Sequence, residues 1–127
     1  MWEAESKITD AELEIMRALW DSEEPMTLRQ LKGVLAENHG WSGDTTKTLL
    51  RRLCEKGAVE QEKRQVYYYR PLVRQDQLGQ YRTQRLIDKL YSGSAKAMVA
   101  ALVEHEQLGQ QDVDELREFF QGLWEEK

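Results

Sequence analysis

Residues 41–69 read WSGDTTKTLLRRLCEKGAVEQEKRQVYYY, and no other stretch of the chain restricts the fold as much. Thr46, Leu49, Leu50 and Leu53 recur at the three- and four-residue spacing of one helical face. Thr45, Lys47, Thr48, Arg51 and Arg52 fall on the other face. Ser42 is placed to cap this helix, which runs to Lys56, and Gly57 is the residue type that follows a helix end. Beyond it, Ala58-Val59-Glu60-Gln61-Glu62 and Val66-Tyr67-Tyr68-Tyr69-Arg70 alternate at period two around Lys63-Arg64-Gln65. That pattern predicts a two-stranded hairpin with a cationic tip, closed by Pro71. A helix that buries one side and offers Thr, Lys and Arg on the other, followed by a basic hairpin, is the layout of a winged-helix DNA reader.

The upstream residues supply the rest of such a fold. Thr9-Asp10-Ala11-Glu12 is a capping box, a hydroxyl with a carboxylate three residues on. It opens a helix whose apolar face is Leu13, Ile15, Met16, Leu19 and Trp20, ended by the run from Asp21 to Pro25. Thr27-Leu28-Arg29-Gln30 is a second capping box, and Leu28, Leu31, Val34 and Leu35 form the next buried stripe before His39-Gly40 stops it. The short step to the third helix matches a helix-turn-helix.

From Gln75 onward no strand signal remains. Leu78, Tyr81, Leu86 and Leu90 share a stripe that breaks at Ser92-Gly93. Val99, Leu102 and Val103 mark a second helix that breaks near Gly109. Val113, Leu116, Phe119, Phe120, Leu123 and Trp124 mark a third. So small a helical region cannot bury this much apolar surface alone, and a symmetric dimer of interlocked copies would cover it. The expected class is therefore mainly α. A winged helix-turn-helix, three helices plus a β-hairpin wing, occupies residues 1–74, and an all-α dimerisation region occupies residues 75–127.

Net charge is −5, which argues against a nucleic-acid partner until its distribution is read. Residues 41–74 carry eight cations against four acids, a net of +4, and residues 98–127 carry two against eight, a net of −6. Phosphate feels the local field within about 8–10 Å, so segregated charge allows one face on DNA. Thr45, Lys47, Thr48, Arg51 and Arg52 are then candidates for the major groove, and Lys63 and Arg64 for backbone phosphates. Asp44 does not fit a basic motif: the helix dipole favours it, phosphate repels it, and it can accept from a cytosine amino group or lower non-specific affinity.

Taken alone, such a face is more often the solvated side of an amphipathic helix than a DNA-reading surface. The helix–turn–helix–hairpin order around it favours DNA. The rival class is a protein-interaction module without operator DNA binding, because winged helices also dock proteins and pI 5.1 is acidic for a DNA binder. Tyr67 and Tyr69 share one strand face and Tyr68 the other, so one face is expected in the core. Trp2, Trp20, Trp41 and Trp124 are read as packing, and Cys54 as a buried inert thiol.

Nothing in the sequence points to catalysis. No Ser/His/Asp order, Gly-rich phosphate loop or HExxH occurs. His39 and His105 have no Cys or His at ligand spacing, so neither metal nor cofactor is expected, and Glu104 and Glu106 read as exposed helix surface around His105. The acidic opening residues do not form a signal peptide and no apolar run approaches the ~18 residues that span a bilayer. With a single cysteine, these features predict a cytoplasmic protein with no membrane partner.

With these residues in hand, the chain resembles the BlaI/MecI/CopY family of bacterial repressors. ITDAELEIMRALW is similar to the family's opening helix, and WSGDTTKTLLRRLCEKGAVEQEKRQVYYYRPLV to its recognition helix and wing. YSGSAKAMVAALVEHEQLGQQDVDELREFF resembles its dimerisation region. The resemblance implies a homodimer on a palindromic operator of double-stranded DNA, repressing nearby genes. By position it carries the DNA-facing role to Thr45, Lys47, Thr48 and Arg52. Asp44 and Gly43 stand where antibiotic-resistance members carry lysine and proline, which implies a different operator sequence or affinity. One branch has a regulatory protease as partner, through a membrane sensor, and is cleaved at an Asn-Phe bond. The matching pair here is Ala101-Leu102, which departs from it. The copper branch binds metal through paired C-terminal cysteines, and this tail, QGLWEEK, has none.

Overall fold

The computed structural model describes residues 8–125, with side chains described to residue 123. Trp2 and the side chain of Trp124 therefore lie outside the described residues. Among those described, the order is α1 (Asp10–Asp21), β1 (Met26–Thr27), α2 (Leu28–His39), α3 (Gly43–Glu55), β2 (Val59–Lys63), β3 (Tyr67–Pro71), α4 (Gln75–Leu90), α5 (Ala95–Glu104) and α6 (Gln110–Glu125). They form two compact units, one ending at Tyr81 and one beginning at Arg82.

Local chemistry sets the helix ends of the first unit. Thr9 Oγ1 accepts from the Glu12 N–H at 3.1 Å, and Glu12 Oε1 accepts from the Thr9 N–H at 2.9 Å. Thr27 and Gln30 repeat the arrangement at the start of α2. Ser42 caps α3 by accepting from the Thr45 N–H at 3.2 Å. Each such cap stabilises its helix by about 1 kcal/mol. Gly40 (φ 67°) and Gly57 (φ 80°) turn the chain out of α2 and α3 through the left-handed region, where a Cβ is strained.

Ile15, Met16 and Leu19 of α1, Leu31 and Leu35 of α2, and Thr46, Leu49, Leu50 and Leu53 of α3 are all buried. They meet Met26, Ala58, Val59, Tyr69, Val73 and Leu78 in one core. Leu13, Trp20, Leu28 and Val34 are only partly buried at its margin. Trp20 donates its indole N–H to the Val73 carbonyl at 2.8 Å, tying α1 to the segment after the hairpin.

The sheet differs from the expected hairpin in three ways. It has three antiparallel strands in the order β1-β3-β2. The extra strand, Met26–Thr27, pairs with Tyr68 and Tyr69, and two residues are too few to show a period of two. Both hairpin strands begin one residue later than the alternation placed them. Lys63 is thus paired with Tyr67 inside the ladder, and the turn is closed by the Arg64 N–H donating to the Val66 carbonyl at 3.1 Å. Pro71 is the last residue of β3, opposite Val59, rather than a stop beyond the strand.

In the second unit, Ile87 is buried, but Leu86, Leu90, Val99, Leu102, Val103, Leu116, Phe119, Phe120 and Leu123 remain exposed. Leu78 is a correction to the expected dimerisation stripe. It is 2% exposed in the core of the first unit, so it has no surface to offer a partner. Tyr81 is partly buried. His105 caps α5 and Glu106 takes a left-handed conformation (φ 60°), so Glu106 sits in a turn, not on a helix surface.

Candidate nucleic-acid interface

α3 is amphipathic by construction. At about 100° per residue, buried Thr46, Leu49, Leu50 and Leu53 cover one side. Asp44, Thr48, Arg51 and Glu55 follow one another along the opposite ridge. Thr45 and Arg52 lie along one flank of that ridge, and Lys47 along the other. Between α3 and the sheet runs a groove of about 420 Å³ whose walls include Asp44, Lys47, Thr48, Arg51, Gln61 and Tyr69.

The expected DNA-facing residues are not equivalent in this setting. Lys47 and Arg52 are exposed, and their side chains have no ion-pair partner among the described residues. Arg51 lies 3.8 Å from Glu55 one turn on. Thr48 is half-buried in the groove. The Thr45 hydroxyl is 3.0 Å from that of Ser42, within the cap itself. At the wing, Lys63 is exposed and unpaired among the described residues. Arg64 is held by Glu62 at 3.2 Å and lies over the Tyr68 ring, 4.7 Å from its centre. The structure therefore brings Lys47, Thr48 and Arg51 together in the groove. Thr45 and Arg52 line the outer flank of α3, and Lys63 and Arg64 stand apart at the wing tip.

Of the three tyrosines, only Tyr69 enters the core. Burial, with smaller contributions from Cys54 and Tyr67, pushes its phenol up against a hydrogen bond from Gln61. Tyr67, on the same strand face, is 45% exposed. Cys54 is half-buried beside the groove rather than fully buried; burial, reinforced by Glu55, pushes its thiol up. His39 Nε2 is 2.9 Å from Glu14 Oε2, and its ring packs against Trp41. Among the described residues no group of three His, Cys, Asp or Glu side chains could hold a metal ion.

Two features had no sequence signal because they join distant elements. Lys32 of α2 runs across the start of α3, so close that a Cβ at Gly43 would lie 3.2 Å from its Cδ and Cε. Lys56, the C-cap of α3, reaches 44 residues back to Glu12 Oε1 at 2.5 Å. Glu12 is 0% exposed, so α3 is tied at its end to the first turn of α1.

Comparisons with known proteins agree with this geometry. A family model described as penicillinase repressor matches residues 8–122. A penicillinase repressor of Bacillus licheniformis is 31% identical over 111 residues, covering 87% of this chain and 86% of the relative. The methicillin resistance regulatory protein MecI of Mammaliicoccus sciuri is 29% identical over 112 residues, covering 87% and 90%. The solution structure of the DNA-binding domain of the repressor BlaI superposes with a TM-score of 0.51 at 32% identity, covering 56% of this chain and 87% of that one. The Bacillus licheniformis BlaI monomeric form in complex with the blaP half-operator gives a TM-score of 0.50 at the same identity and coverage.

Proposed function

This chain belongs to the penicillinase repressor family, and on that footing we propose that it is a sequence-specific DNA-binding transcriptional repressor, not an enzyme, that acts as a homodimer on a palindromic operator. The observation that carries the reading is α3: a helix held by four buried side chains, with Lys47, Thr48 and Arg51 turned into a groove beside a basic wing. A recognition helix enters the major groove by its N-terminal turns. Thr45 and Thr48 then meet base edges or a thymine methyl, and Lys47, Arg51 and Arg52 reach guanine or phosphate. Lys63 and Arg64 hold the backbone, fixing register without reading sequence. The blaP half-operator bound by the relative supports duplex DNA as the partner here.

The second unit supports the dimer. Phe119 and Phe120 are 60% and 55% exposed, and Phe120 lines an apolar groove with Val99, Val103 and Leu116 that a lone chain leaves in water. A second copy is the occupant that also doubles the contacts with a two-fold operator. Among the described residues no helix is long and apolar enough to cross a membrane, and we place the protein in the cytoplasm with its DNA. Ala101 and Leu102 lie inside α5, where their carbonyls accept from the His105 and Gln107 N–H groups at 3.0 and 2.9 Å. A protease would have to unwind that turn, so cleavage between them is not part of the reading.

A gel shift with the chain's own upstream region, at low and physiological salt, tests it. The expected result is a shifted band that survives competitor DNA and a footprint with two-fold symmetry. Absence of any shift at low salt would refute the reading in favour of a protein-interaction module.

A further inference from the structure

Four acids lie on α3 and the wing: Asp44, Glu55, Glu60 and Glu62. Three are neutralised within the protein. Glu55 is 3.8 Å from Arg51, Glu60 is 2.7 Å from Arg70, and Glu62 is 3.2 Å from Arg64. Asp44 has no ion-pair or hydrogen-bond partner for its carboxylate among the described residues. It is exposed, and it lies nine positions from fully buried Leu53, about 180° around the helix. Asp44 is thus the side chain aimed most directly away from the core in the leading turn of the recognition helix. It shares the groove with Lys47 and Thr48, one turn further along.

A carboxylate in that place discriminates between base edges by chemistry alone. It only accepts hydrogen bonds, and in the major groove guanine N7 and O6, adenine N7 and thymine O4 are acceptors that repel it. Two edges offer a donor: the amino groups of cytosine and adenine. Adenine sets its own N7 acceptor beside that amino group, whereas cytosine sets a C–H there. We infer that Asp44 is a specificity-determining residue that selects cytosine at one position in each operator half-site, accepting from its N4 amino group. The inference rests on the DNA-binding reading above and adds the base that the leading turn reads. Helix-dipole stabilisation alone would favour the same aspartate, but it requires no preference in the DNA.

Selection from a randomised duplex library, with the full chain and with Asp44→Asn and Asp44→Ala, tests it. The wild type should select a two-fold site with cytosine at one position per half-site, and replacing that cytosine should weaken binding about tenfold or more. Asp44→Asn should move that position towards adenine, because an amide pairs with adenine N6 and N7. Asp44→Ala should leave it unselective, and every other position should keep its base. Identical preferences for the wild type and both variants would overturn the inference while leaving the repressor reading intact. A wild-type chain that selects no motif would overturn the repressor reading and the inference with it. Ser42 remains the cap in both variants, and circular dichroism of the folded variants distinguishes altered reading from altered folding.

Discussion

Replacing Lys56 with Met should destabilise the protein far more than an exposed lysine warrants, and the loss should shrink as the pH falls. Glu12 is 0% exposed, and its Oε1 takes the Lys56 ammonium at 2.5 Å and the Thr9 N–H at 2.9 Å. Its Oε2 is buried with no hydrogen-bond partner among the described residues. Lys56→Met leaves the carboxylate buried with one donor. Breaking a buried pair from one side costs about 3–5 kcal/mol. Because the Lys56 side chain is itself 24% exposed, the lower end applies, about 3 kcal/mol. That is a large share of the ~5–15 kcal/mol by which domains are stable, and it corresponds to roughly 10–20 °C in Tm. Glu12→Gln is the asymmetric partner. The amide still serves the capping box, as Gln30 does in α2, and Lys56 can turn to water, so the cost should be about 1 kcal/mol.

The pH dependence carries the sign. Burial pushes the Glu12 carboxyl up, but hydrogen bonds from Lys56 and Thr9, together with the Lys56 charge, outweigh it and leave it below the ordinary carboxylate value. A lowered folded pKa contributes stability that is fully present above the range where an unfolded Glu titrates, about pH 4–5. That stability is lost as the pH falls through the folded value. In Lys56→Met burial acts without its main opponent, so the carboxyl rises and the variant regains stability on protonation. Urea unfolding at fixed protein concentration, followed by tryptophan fluorescence at pH 7, 6 and 5, measures the gap between wild type and variant. The gap should narrow towards pH 5. A gap below about 0.5 kcal/mol at pH 7, or one that widens in acid, would refute the argument.

Thr48→Trp should fill the groove beside α3 and reduce operator affinity by much more than bulk-DNA affinity in competition titrations; equal losses would remove Thr48 from the base-reading face. Lys63→Ala should weaken all DNA sequences alike and lower the slope of log K against log salt by about 1, so an unchanged slope would mean that the wing does not touch phosphate. Light scattering should give a dimer at micromolar concentration that Phe119→Glu converts to monomer; a monomeric wild type would undo the reading of the second unit. Cys54, with its thiol pushed up by burial and Glu55, should react slowly with thiol reagents in the native state and quickly in denaturant.

The sequence carried those parts of the fold that depend on local rules. Both capping boxes, the Ser42 cap and the glycine exits appear because each needs only residues a few positions apart. The four buried residues of α3 appear because a 3.6-residue period is visible over 13 residues. β1 did not appear, since two residues carry no period, and the hairpin slipped by one because Ala58 and Val66 extend the alternation past the ladder. Leu78 shows the same limit from the other side. Its spacing puts it on a stripe with Tyr81 and Leu86, yet the core of the first unit claims it. The Glu12–Lys56 pair was out of reach, because each residue already had a sufficient local explanation, one in a cap and one at a helix end.

The charge pattern resolves how an acidic chain can approach DNA. Counted as a segment, residues 41–74 have a net charge of +4. Counted by partners, much of that charge is already committed: Arg51, Arg64 and Arg70 to acids of the same segment, Lys56 to Glu12, and Arg74 to Asp76. Of the charges in this segment, Lys47, Arg52 and Lys63 are the cations without an ion-pair partner among the described residues, and Asp44 is the acid without one. Each phosphate neutralised contributes about −0.9 to the salt slope, so the three uncommitted cations of this segment add only a shallow slope and a weak attraction to any duplex. Two protomers on adjacent half-sites double it, and the second contact is made at the effective concentration set by the first. On the proposed reading, weak non-specific attraction, pairing through the second unit and a carboxylate in the leading turn all act in one direction. Each lowers affinity for arbitrary DNA relative to a two-fold site of the right sequence. A repressor with net charge −5 therefore has discrimination built in at the level of charge, before any base is read.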